Sequence, residues 1–328
     1  MKAYVISKPG GPEVLELKEI PDPVPEQGQV LIEIKAFGLN RAEAITRMGG
    51  SFDAVKFPKV IGIECVGIVA DCPDGTLLPG QKVAAAMGGM GRKYNGSYAE
   101  KIVVPLSNVF PVNTSLTWEE FGAVPETYFT AWGCLFEELK LEDKPRVVVR
   151  PAASALGIAI TQMVNLLGGQ VIGITRSESK KERMLDCGMY KVIVSDNTVA
   201  AQVKEIWPEG ADGVVDAVVS ETSLADDFDM LSPEGRICLA GSLAASYGTS
   251  ASADFKKALG HEQVSFYSSE ELHADKDTLN LQYMLEQIEA RNYKLHTHSV
   301  ISFDALVEAH KKMDNNEYTG KVVVKVEA

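Results

Sequence analysis

The stretch VVVRPAASALGIAITQMVNLLGG, from Val147 to Gly169, decides the fold. It reads as a β-branched strand, a short turn and an apolar helix that stops at Gly168-Gly169. A strand that feeds a helix through a turn of small residues is how a dinucleotide-binding unit opens. The turn departs from the usual fingerprint, because Pro151 to Gly157 carries one glycine where such turns carry three. A phosphate needs backbone N–H groups it can approach closely and a helix N-terminus with its partial positive charge. Alanine and serine are nearly as small as glycine. Ser154, Ala155, Leu156 and Gly157 are therefore the candidate pyrophosphate cradle, with the Ser154 hydroxyl as a further donor. Gly157 would let the helix pack close to the strands. A plain strand-to-helix connection is the competing reading, and the turn alone leaves both open.

The next strand bears on that choice. An NAD-selective site ends its second strand with an acid, about 20 residues on, that grips the ribose 2′-hydroxyl. Here QVIGITRSESKK ends with Thr175, Arg176 and Ser177. A guanidinium at that place can fork onto a 2′-phosphate, and Ser177 and Lys180 can assist. The spacing favours NADPH over NADH. The bland alternative makes Thr175 or Ser177 a helix N-cap, with Arg176 and Lys180 merely solvated.

Outward from this stretch, strands and helices alternate. RVVVR, QVIGIT, KVIVS, GVVDAVV and RICLAG read as strands, with helices expected near 155–167, 178–187, 198–207 and 222–231. That order predicts a doubly wound parallel sheet. Residues 1–120 differ: short strands such as KAYVI and QVLIEIKAFGL are separated by Pro and Gly, as in PDPVPEQGQ, which predicts a compact β-barrel-like domain. Thr117 with Glu120 forms a capping box at the change of pattern. Beyond about residue 265 come two amphipathic helices and a last strand, GKVVVKVEA, which is expected to rejoin the first domain. The expected division is 1–120 with 265–328, and 121–264.

The 328 residues suffice for two domains with real cores. The net charge of −13 repels nucleic acid and anionic membrane surfaces but leaves room for a local basic pocket. No apolar run approaches the ~18 residues that span a bilayer. The start MKAYVISKPGG lacks the pattern of a signal peptide. A cytoplasmic location is the expectation. The five dispersed cysteines read as reduced thiols.

The ordered motifs GLNRAEAITRMGG (38–50), GIECVGIV (62–69), GSYAEKIVVP (96–105), AVPETYFTAW (123–132), SALG (154–157), TRSESK (175–180), GRICLAGS (235–242) and GKVVVKV (320–326) resemble the medium-chain dehydrogenase/reductases, in the zinc-independent quinone oxidoreductase (zeta-crystallin-like) branch. The resemblance runs along nearly the whole chain. It implies an α/β fold: a GroES-like β-barrel catalytic domain built from both chain ends, a Rossmann domain between them, and a cleft that holds the nicotinamide. It also implies oligomers, most simply a homodimer, paired through Rossmann sheet edges, with RICLAG as the candidate edge. Zinc-dependent relatives carry a cysteine near Asn40 and a histidine where this chain has Ile63 in Gly62-Ile63-Glu64. Isoleucine cannot ligate a metal, and no closely spaced cysteine set offers a structural zinc lobe; no metal is expected.

By the same resemblance, Asn40 and Arg47 are the candidate catalytic residues. The Asn40 amide would donate to an acceptor carbonyl as hydride arrives; capping of the following helix is its alternative role, and a solvated helix position that of Arg47. Thr130 would contact the nicotinamide or its ribose, and Gly241 and Ser242 would lie at the carboxyl ends of the sheet strands. Tyr94, Tyr98 and Tyr128 could each supply a proton, but packing explains any of them more cheaply, and Glu64 is given a structural role. The loop AAAMGGMGRKYNGSYAE either shapes the substrate pocket or is mobile. Without a Lewis acid to stabilise an alkoxide, the chemistry expected is NADPH-dependent reduction of a quinone or similar conjugated carbonyl. Reduction of a 2-enoyl thioester or enone, and a non-catalytic NADPH-binding role, are the alternatives.

Overall fold

The computed structural model describes residues 1–50, 55–241, 243 and 257–327. They divide into two units, one of Met1–Phe129, Ser269–Arg291 and Thr297–Ala328, the other of Thr130–Ser268 and Asn292–His296. The first crossing, at Phe129, lies beyond the change of pattern near Thr117. One reason is that the Phe129 ring packs on Phe110 at 4.8 Å between centroids.

In chain order the first unit contains β1 (Lys2–Ile6), β2 (Glu16–Glu19), β3 (Gln29–Gly38), α1 (Arg41–Arg47), β4 (Lys59–Val60), β5 (Glu64–Asp71), β6 (Lys82–Ala86), β7 (Lys101–Pro105) and β8 (Val109–Pro111). Short helices α2 (Trp118–Phe121) and α3 (Pro125–Trp132) follow. The capping box at Thr117 forms as the sequence implies: its hydroxyl accepts the Glu120 N–H while the Glu120 carboxylate accepts the Thr117 N–H. Strand β3 is the hub. Every second side chain, Val30, Ile32 and Ile34, is buried, as a strand with one face on a core requires. One edge of β3 is taken by β5. The other edge is shared, its first half by β7 and its end by a strand from the far terminus of the chain.

The second unit is one parallel sheet. It runs β9 (Arg146–Arg150), α4 (Ala155–Leu166), β10 (Gln170–Thr175), α5 (Lys181–Asp186), β11 (Lys191–Val194), α6 (Val199–Ile206), β12 (Ala211–Asp216), α7 (Glu221–Met230), β13 (Leu231–Leu239) and β14 (Val264–Phe266). The spatial order is β11-β10-β9-β12-β13-β14, every pair parallel. That is the strand order of a doubly wound nucleotide-binding sheet, and the order reverses between β9 and β12. The central residues Val147, Val148 and Val149 are all buried, as a parallel strand covered on both faces must be. β9 and β10 match the stretches RVVVR and QVIGIT residue for residue. RICLAG does not form the sheet edge: its first four residues end β13, which pairs on its far side with β14, and Ala240 and Gly241 follow. The sequence gives little sign of β14, a strand of three residues.

The chain then returns to the first unit with α8 (Ala274–Glu289), β15 (Thr297–Ser302), α9 (Leu306–Asp314) and β16 (Lys321–Lys325). β16 supplies the remaining partner of β3, with Val323 opposite Gly38. One apolar cluster joins residues from both chain ends, among them Ile6, Ile34, Phe37, Leu306 and Val324. Burial of such side chains contributes roughly 1.5–3 kcal/mol each before the entropy of ordering is subtracted.

Candidate functional site

Asn40 begins α1 at the end of β3, and Glu43 reaches back to its backbone N–H at 2.8 Å. The Asn40 carboxamide is held from both sides. Its Nδ2 donates to Glu64 Oε1 at 2.7 Å and, at the long distance of 3.4 Å, to Gly38 O, and its Oδ1 accepts from Lys321 Nζ at 2.8 Å. Lys321 also donates to Glu64 Oε1 at 2.6 Å, and the second Glu64 oxygen accepts the Glu126 N–H at 2.8 Å. The Lys321 and Glu64 side chains are 5% and 0% exposed, so this ion pair lies out of water. Gly38 makes room for it: a Cβ there would stand 2.1 Å from Lys321 Cε and 2.6 Å from Glu64 Oε1. Capping and the side-chain contacts of Asn40 thus occur together.

Arg47, at the other end of α1, is wholly buried and not a solvated helix position. Its guanidinium donates to Gly10 O at 3.1 Å, meets His310 Nδ1 at 2.7 Å and pairs with Asp314 at 2.6 Å. With no exposed surface and these bonds made, Arg47 is an internal strut of the first unit. From His310 the chain of bonds continues through the Tyr98 hydroxyl at 2.8 Å to Glu43 Oε2 at 2.7 Å. Glu43 also accepts from Ile63 N at 3.0 Å. With Arg47 donating to His310 Nδ1, the imidazole carries its proton on Nε2, and every donor in the chain faces an acceptor. Burial, with Arg47 and Arg41 nearby, lowers the His310 pKa to about 3 and keeps the ring neutral. Burial pushes Glu43 up to about 7, against the pull of its donors.

In the second unit the expected cofactor residues gather at the carboxyl ends of β9 and β10. Ser154 is the N-cap of α4. Its oxygen accepts the Gly157 N–H at 2.9 Å and its hydroxyl donates to Pro151 O at 2.8 Å. The hydroxyl expected to serve a phosphate thus bonds here within its own turn. The amides of Ala155 and Leu156 open the helix, where N–H groups have no intrahelical acceptor. A Cβ on Gly157 would stand 2.6 Å from Ala152 O, so glycine is what lets α4 close onto the turn. The Ala152 N–H donates to Ile174 O at 2.9 Å, which lays the turn against the end of β10.

There Thr175 is buried and its Oγ1 accepts the Ser177 N–H at 3.2 Å. Arg176 is exposed, and the nearby Glu178 carboxylate pairs with Lys181 at 3.4 Å. Ser177 meets Ser179 at 2.8 Å between hydroxyls, and Lys180 is half-buried in the turn that follows. Gly241 follows β13 beside the end of β12, where Ala240 N donates to Asp216 O at 2.9 Å. Ser242 lies outside the described residues. Thr130 sits half-buried on α3. These groups have the character a dinucleotide needs: small residues and helix-opening amides for a pyrophosphate, and an exposed arginine at the end of β10.

Several site residues were not foreseen. Lys321 opens the last strand, and its valine-rich run marks a strand without marking the lysine as buried. Glu43 is visible in N-R-A-E only as a capping acid, and His310 only as a helix residue. The loop between β6 and β7 is pinned, since Arg92 pairs with Glu270 at 2.5 Å and Gly89 N donates to the same carboxylate at 2.9 Å. Its Met87, Met90 and Tyr98 are buried. Tyr94 and Tyr128 are packed as expected, Tyr128 buried and Tyr94 partly so.

Two family models match the chain: an alcohol dehydrogenase GroES-like domain over residues 26–114, and a zinc-binding dehydrogenase domain over residues 187–324. The quinone oxidoreductase of Rattus norvegicus is 28% identical over 247 residues, covering 74% of this chain and 73% of that protein. The solved structure of an NAD-dependent alcohol dehydrogenase is 27% identical and covers 100% of both chains with a TM-score of 0.83. A mycobacterial protein solved in complex with NADPH has the same fold, at 23% identity and a TM-score of 0.84 over 99% of both chains.

Proposed function

The chain belongs to the medium-chain dehydrogenase/reductase superfamily, in its quinone oxidoreductase branch, and is an oxidoreductase; from that premise we propose that it reduces a quinone or similar conjugated carbonyl with NADPH and without zinc. The observation that carries this reading is the Asn40 carboxamide held between buried Lys321 and Glu64, at the position that in this family adjoins the nicotinamide. The bound dinucleotide supplies a hydride. The α4 amides and Arg176 hold its phosphates, and Gly157 keeps the helix close to the turn. Asn40 stabilises the oxygen on which negative charge grows as the acceptor takes the hydride. A proton from water completes the hydroquinone.

The donor set supports a reaction without metal. Ile63 offers no ligand atom, and Glu64 already faces the Lys321 ammonium. Among the described residues no group of three or more His, Cys, Asp or Glu is arranged to hold a metal ion. Likewise no helix among them is long and apolar enough to cross a membrane. A homodimer paired along β14, the edge strand beside β13, completes the proposal.

The test is consumption of NADPH and NADH with ortho-quinones, para-quinones and short enones, by wild type and Asn40→Ala. NADPH-selective turnover with quinones, weakened in Asn40→Ala, is the expected result. Turnover with enones alone would transfer the reading to enone reduction. Tight NADPH binding without turnover on any acceptor would leave a binding role.

A further inference from the structure

Resting on the reading that Asn40 meets the acceptor, we propose that Lys321 is a positioning residue that works through Asn40. It fixes the orientation of the carboxamide and lends it positive charge as the acceptor oxygen becomes anionic. An amide side chain left alone can turn over, exchanging its donor and acceptor ends. Here each end has a partner that accepts only one orientation. The ammonium has donors and no acceptor, and it meets Oδ1 at 2.8 Å. The carboxylate has acceptors and no donor, and it meets Nδ2 at 2.7 Å. Reversal would set an N–H against the ammonium and an oxygen against the carboxylate.

The placement also fixes the sign of the electrostatic effect. An ammonium on the amide oxygen draws electron density from the nitrogen and strengthens it as a donor, an effect that grows where water is excluded; Glu64 keeps one N–H, and the other, which makes only the 3.4 Å bond to Gly38 O, is the one that can turn to the acceptor. Lys321 is held to the task by the Glu64 salt bridge at 2.6 Å, and the space for its side chain exists because residue 38 is glycine. Glu64 in turn is anchored by the Glu126 N–H. The lysine therefore stands on a fixed carboxylate and presses on one face of one side chain.

The experiment is a double-mutant cycle of Lys321→Met and Asn40→Ala, read as kcat and KM with a graded series of quinones, alongside NADPH affinity and Tm. Lys321→Met is expected to lower kcat at least tenfold with KM and NADPH affinity held within about threefold, to lose more on weakly electrophilic quinones, and to add little in the Asn40→Ala background. Lys321→Arg should recover much of the rate, because it keeps the charge and the donors. Removal of the lysine strands a buried carboxylate, which destabilises; Lys321→Met/Glu64→Gln removes that charge and repeats the test in a folded protein. Wild-type kcat in the lysine variants, or losses that add fully to those of Asn40→Ala, overturn the inference while the function stands. An unimpaired Asn40→Ala overturns the placement of the reaction at Asn40 and the inference with it.

Discussion

The residues on which the proposed chemistry turns are few, and each has a definite physical setting. Arg176 is exposed at the end of β10, where an acid would select against a 2′-phosphate. Arg176→Ala should therefore weaken NADPH binding about tenfold or more, the loss of a charge-assisted hydrogen-bonded contact, with NADH binding little altered; titration with both dinucleotides measures it. His310 has the opposite character, a neutral imidazole locked between Arg47 and Tyr98. Its folded pKa of about 3 lies below the ordinary value near 6.5. The resulting stability is present above pH 6.5 and is lost as pH falls toward 3, by up to about 5 kcal/mol. Glu43, raised to about 7, runs the other way, favouring the fold below pH 4.5 and losing that advantage as pH rises through 7. Urea unfolding of His310→Gln between pH 6.5 and 4 should show a flatter fall in stability than the wild type. An unchanged slope would show that His310 is not the group that titrates.

At the scale of the element, α4 and its turn show what sequence can and cannot reveal. The strand, the turn, the helix and its closing glycines were legible because period, β-branching and punctuation all agreed. The task of Ser154 was not, because the same hydroxyl suits an N-cap and a phosphate, and only the geometry shows it bonded to Pro151 and Gly157. Gly157 was read for close packing, and the 2.6 Å approach to Ala152 O gives the reason. Gly157→Ala must push α4 off the turn, so a loss of about 1–3 kcal/mol in stability and weaker NADPH binding are expected together, measurable by calorimetry on one sample. Helix α1 repeats the lesson. N-R-A-E announced a cap, but Asn40 meets Lys321 across 281 positions of sequence and Arg47 meets His310 across 263. Side chains that find partners at such range leave no periodic trace, which is why Lys321 and His310 were silent, Tyr98 was read only for packing and Arg47 was read as a surface or catalytic group.

At the scale of the molecule, the first unit exists only when both ends of the chain meet. β16 fills the end of one β3 edge, and its Val323 is fully buried. Val323→Asp should cost about 3–5 kcal/mol, the penalty of a buried charge without a partner, and lower Tm sharply; a neutral outcome would mean that the closing strand is not needed. The return of the chain was legible from the valine run at the C-terminus, whereas β14, the edge strand beside β13 in the other sheet, was not, being only three residues long. The proposed reaction, hydride passing from NADPH to an acceptor, is tested on the whole molecule. The most direct measurement is the rate of NADPH oxidation by a quinone with the transferable hydrogen of the dinucleotide replaced by deuterium, under single-turnover conditions. Direct transfer predicts a slower oxidation with the deuterated cofactor, and a further loss of rate in Asn40→Ala. NADPH that binds but stays reduced in the presence of every quinone and enone would contradict it.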